Sequence, residues 1–139
     1  MSHAQVDLQR YLKSPYLRLD ESKRGQADAE FAAAQTFLQQ AESSFKENDE
    51  ATGLKQAWAA MFRAARGLAY RAGYHVEQLR SLEVVLASHY PPITQDDITD
   101  LRRAQELLGP PAVAVERARV FIHKTKPLTP QAIDSARKN

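Results

Sequence analysis

Apolar residues recur at helical intervals along most of the chain. Phe31, Ala34, Leu38, Ala41 and Phe45 advance by alternate steps of three and four, which draws one stripe down a helix from about 22 to 47. Glu47-Asn48-Asp49-Glu50 interrupts that stripe, and Leu54, Ala57/Trp58, Met61, Ala65, Leu68 and Ala72 then repeat the spacing. Gly73, just past the second stripe, is a natural helix-ending residue. Two long helices joined by a short polar turn predict an antiparallel hairpin at the centre of a bundle.

Shorter helices follow. Val76, Leu79, Leu82 and Leu86 mark one that ends before Pro91-Pro92. Thr94 is expected to cap the next, with Asp96 and Asp97 at its positive end and Ile98, Leu101 and Leu108 on its buried face. Gly109-Pro110-Pro111 stops that helix, and another runs from about 112 to 124 with Ala114, Ala118, Phe121 and Ile122 inward, until Pro127. Thr129-Pro130 reads as the start of a last short helix. Residues 1–14 are expected as a short helix near 3–13 or as a mobile terminus. Few β-branched clusters and no Asn-Gly or Asp-Gly turn signal argue against strands. The expectation is one all-α domain over residues 1–139, an antiparallel up-down helical bundle of five to seven helices.

Composition narrows the chemistry more than the fold. A chain of 139 residues with 43% apolar and 26% charged residues can bury a core without staples. It has no cysteine, which excludes a disulfide scaffold, thiolate-held metals and thiol catalysis. No run of about 18 apolar residues exists, so no membrane span is expected. Met1-Ser2-His3-Ala4-Gln5 lacks the marks of a signal peptide, and a cytoplasmic protein is the default.

Charge is uneven. The net of +2 is too small to imply nucleic acid. Residues 54–80, however, carry five basic groups against Glu77 alone, and residues 102–139 carry eight against three acids. Packed together, the two segments would form one positive surface for a phosphate backbone.

Several site types are missing from the sequence: a Gly-rich phosphate loop, a His-Glu-x-x-His pair, a Gly-x-Ser-x-Gly elbow and an EF-hand loop. Asp96, Asp97 and Asp100 read better as compensation of a helix dipole than as a cation site, and no metal or other cofactor is expected. Of four histidines, His3 sits at the terminus, His89 reads as a surface or capping residue, and His75 as structural. His123 lies among cations in Glu116-Arg117-Ala118-Arg119-Val120-Phe121-Ile122-His123-Lys124. Metal-free RNA cleavage needs a base for the 2′-hydroxyl proton and a permanent cation on the scissile phosphate, which histidine and arginine supply. Arg119 and His123 share a helix face. Arg117 and His123 are about 120° apart round an ideal helix, so they converge only through a distortion before Pro127 or through a second chain.

The run Ala57-Trp58-Ala59-Ala60-Met61-Phe62-Arg63-Ala64-Ala65-Arg66-Gly67-Leu68-Ala69-Tyr70-Arg71-Ala72-Gly73-Tyr74 resembles the central helix of HEPN-domain proteins. Phe31 to Phe45 resembles the preceding helix of that family, and Leu128 to Ala136 its closing one. The likeness spans about residues 15–137. It implies a helical bundle that commonly dimerises, found in toxin–antitoxin pairs as a metal-independent ribonuclease, beside a small nucleotidyltransferase, or as a nucleotide-binding module. Arg117, five residues, then His123 matches the arginine–histidine spacing of the ribonuclease members. Ala118, Thr125 and Leu79 stand where some members carry a polar residue, a tyrosine and a histidine.

The resemblance therefore implies a catalytic pair Arg117 and His123, and the basic faces of the two segments offer Arg119, Lys124, Arg66 and Arg71 as phosphate or RNA contacts. The expected partners are a second copy of the chain, a cognate antitoxin or nucleotidyltransferase, and RNA or a nucleotide. A non-catalytic binding module using the same cations is the alternative, and a helical adaptor with a dimer surface is the third reading.

Overall fold

The structure, a computed structural model, describes residues 3–132. It is all-α apart from one small sheet. The order is α1 (His3–Leu12), β1 (Leu17–Leu19), a 3₁₀ helix (Glu21–Gln26), α2 (Ala27–Lys46), α3 (Glu50–Arg71), β2 (Tyr74–Val76), α4 (Leu79–His89), α5 (Gln95–Gln105) and α6 (Pro111–Thr125). None of the described helices is long and apolar enough to cross a membrane.

The expected hairpin of α2 and α3 is the centre of the molecule. Asn48, in the left-handed region at φ 62°, turns the chain, and the Asp49 carboxylate accepts from the Thr52 amide to cap α3. Ala34, Ala41, Ala60, Ala64 and Ala65 are fully buried, so the helices approach closely. Gly53 and Gly67 go further: the rings of Phe45 and Phe31 lie against them where a Cβ would stand. α6 packs along α3 and touches α2, α5 also rests on α3, and α1 packs outside α4.

Strands were not expected, yet β1 and β2 pair antiparallel with Leu17 opposite Val76 and Leu19 opposite Tyr74. Gly73, at φ +86° just after the α3 C-cap Ala72, turns the chain into β2. Val76, assigned by its spacing to the following helix, is therefore a buried strand residue, and that helix begins at Leu79. Three residues of extended chain leave no periodic signal to read.

Thr94 caps α5 in a full capping box with Asp97, as its sequence suggests. Leu108 departs from expectation. α5 stops at Gln105, Leu107 takes φ 58°, and Leu108 swings out to 71% exposure. Thr129–Ala132 are not helical. The rest of the expected closing helix lies outside the described residues.

Arginines tie the helix ends in series. Arg24, held by Glu21, donates to the carbonyls of Arg71 (2.6 Å) and Ala72 (3.3 Å) at the end of α3. Arg71 stacks on Phe31 and donates to the carbonyls of Lys126 (2.9 Å) and Leu128 (2.6 Å) at the end of α6. Each guanidinium satisfies carbonyls that the helix itself leaves unpaired.

Candidate functional site

α6 carries most of the candidate residues. Pro111 occupies its first turn, where a missing N–H costs nothing, and Ala118, Phe121, Ile122 and Thr125 form its buried face. A distortion before Pro127 was expected to free His123. Instead the helix is unbroken through Thr125, and Lys126 keeps helical angles of −54° and −42°. The reason is local. The amides of Lys126 and Leu128 bond to Ile122 and Thr125 at 3.0 and 3.1 Å, the buried Thr125 hydroxyl donates to Phe121 O at 2.8 Å, and Arg71 holds the two following carbonyls. These bonds outweigh the preference of a residue before proline for extended geometry.

Most of the candidate cations have partners. Arg66 binds the buried Glu30 through Nε and lies over the Phe62 and Tyr70 rings, while Arg63 reaches the same carboxylate at 3.0 Å. Arg71 is committed to the α6 end. Arg119 bonds Glu116 at 2.6 Å and reaches Glu42 of α2 at 3.3 Å. Lys124 donates to Asp97 at 2.5 Å. Burial pushes the Asp97 carboxyl up, but the Lys124 ammonium and Thr94 pull harder and hold it below its ordinary value. The basic groups of residues 54–80 and 102–132 thus go to different neighbours: Arg63 and Arg66 to α2, Arg102 to Glu83 of α4, Arg80 to Tyr11 of α1.

Arg117 and His123 differ from the other four. Neither side chain has a hydrogen-bond or ion-pair partner among the described residues. His123 is exposed. Arg117, half-buried, borders two shallow hollows, one with Trp58 and Met61, the other with Asp100 and Val120. Between them in sequence stands Val120, 54% exposed. On this unbroken helix the pair flanks Val120 on either side, separated by about 9 Å along the axis, so the two groups do not meet within one chain.

His75 and His89 are tied into the fold. His89 is not on the surface: it is 9% exposed, with Nε2 2.7 Å from the Tyr74 hydroxyl and Nδ1 2.8 Å from Gln131 O. Burial lowers its pKa and pushes the Tyr74 phenol up to about 12. His75 pairs with Glu77. Among the described residues no cluster of three histidine or acidic side chains is placed to hold a metal, and Asp96, Asp97 and Asp100 form none.

A second basic cleft, between α1, α4 and α5, holds Tyr11, Arg80 and Arg102. Its residues are dispersed over almost a hundred positions, and only the basic bias around Arg80 hinted at them. Neither the family models nor the curated proteins include a match to this chain.

Proposed function

We propose that the chain is a HEPN-type, metal-independent endoribonuclease of a toxin–antitoxin or defence module, active as a two-fold homodimer. One observation carries this reading: of six candidate side chains, only Arg117 and His123 are without hydrogen-bond or ion-pair partners among the described residues, and they flank an exposed valine on one straight helix. Two α6 helices crossing antiparallel at Val120 would bring each Arg117 opposite the partner's His123. The guanidinium then clamps the scissile phosphate, and the imidazole takes the 2′-hydroxyl proton. The 2′ oxygen attacks phosphorus as the P–O5′ bond breaks, leaving a 2′,3′-cyclic phosphate, and the departing 5′ oxygen is protonated by the second, protonated His123. Arg119 is a secondary cation whose two acids hold it at the rim.

The alternative, a non-catalytic module docking an antitoxin, a nucleotidyltransferase or a nucleotide, draws on the separation of the pair within one chain. Inducible expression of wild type and His123→Ala with a growth readout separates the two. Arrest by wild type alone, with RNA cut by the purified dimer and not by the variant, supports the nuclease. Equal growth, with binding retained, supports the docking module.

A further inference from the structure

The cleft between α1, α4 and α5 is about 310 Å³, at the lower end of the range for small-molecule sites, roughly 300–1,000 Å³. Three guanidinium groups and two carboxylates line it, and their pairing is uneven. Arg102 holds Glu83 through Nε (2.9 Å) and Nη2, and Arg10 stands 3.6 Å from Asp7. Arg80 makes no ion pair with a carboxylate among the described residues. Its Nε donates to the Tyr11 hydroxyl at 3.2 Å, and its two Nη groups are without partners among the described residues. Arg80 also feels the charge of Glu83 and, more weakly, that of Arg102. Because the Tyr11 oxygen accepts from Arg80, its own O–H is left to donate elsewhere.

The cleft therefore presents a planar fork of donors and a phenolic O–H beside an apolar wall of Val84, Ala87 and Ile98. One surplus positive charge remains after both acids are paired. A monoanion neutralises it, whereas a dianion would leave a negative cleft already holding two carboxylates. A carboxylate also matches the arginine fork in two parallel bonds. We propose that this cleft binds a small organic carboxylate, its headgroup held by Arg80 and Tyr11 and its apolar body against Val84 and Ile98. The proposal is independent of RNA chemistry, because α5 stands between the cleft and Arg117.

Hexanoate titrated into the full chain, followed by amide chemical shifts, tests it. Saturable shifts around Tyr11, Arg80 and Ile98 at millimolar hexanoate are expected, with none from hexanol or hexylammonium and weaker ones from hexyl phosphate. Arg80→Gln should weaken binding about tenfold or more, the effect of losing charged hydrogen bonds. Arg103→Gln, next to Arg102 on α5 but outside the cleft, should bind as wild type. If Arg80→Gln loosens α1, Tyr11→Phe keeps the ring and should still weaken binding several-fold with a native spectrum. The absence of saturable shifts, or unchanged binding in both variants, overturns the site. Tighter binding of hexyl phosphate overturns the carboxylate.

Discussion

Glu30 is the acid on which two α3 arginines converge, and it is only 6% exposed. Leaving Arg63 and Arg66 without it strands two cations beside Phe37, Phe62 and Tyr70. Glu30→Gln should lower stability by about 1–3 kcal/mol, less than a fully buried pair because both arginines reach solvent, as urea unfolding will measure. At Gly67 two effects compete. Alanine would gain about 1 kcal/mol of helix propensity, but its Cβ would stand 2.7 Å from the Phe31 ring. Phe31 is itself buried under Arg71 and has little room to move, so overpacking by roughly 1–3 kcal/mol should win, and Gly67→Ala should melt below wild type. His89 sets a pH dependence. Burial depresses its folded pKa, so the folded chain resists a proton that the unfolded chain accepts near about 6.5. Its contribution is complete above that value and falls as pH drops through it. Unfolding at pH 5 and 7.5 should show a loss of stability that His89→Gln reduces.

At the scale of elements, the strongest sequence signals are those with many repeats. The stripes of α2 and α3 are readable because five or six apolar residues agree on one period, and Thr94 because a cap needs only local chemistry. What escapes is settled by distant groups. β1 and β2 are three residues each and depend on one another across more than fifty positions. His89 looks like a helix-end residue until Tyr74 and Gln131 close over it. Arg66 and Arg71 read as free cations because their partners, Glu30 and the end of α6, lie far along the chain. Thr94→Ala should cost about 1 kcal/mol. Asp97→Asn should cost more, since that carboxylate serves both the α5 cap and Lys124. Both are measurable by thermal melts.

At the scale of the whole molecule, the proposed dimer and RNA contact on the exposed face of α6 make three predictions. Light scattering should find a dimer, and Val120→Glu should yield monomers with an unchanged helical spectrum. RNA binding by the dimer should weaken steeply with salt as counterions are displaced. Arg117→Glu should abolish cutting without unfolding, because no hydrogen bond or ion pair among the described residues depends on it. The series of arginines from Glu21 to Leu128 has a different consequence. Arg24 closes the helix that positions Arg71, and Arg71 closes the helix that carries His123. Two helix ends more than fifty residues apart should therefore open together rather than fray singly. In hydrogen exchange, Arg24→Ala should speed the amides of Lys126 and Leu128 as well as that of Gly73, so that a disturbance in one short 3₁₀ turn is felt at the far end of the helix that carries His123.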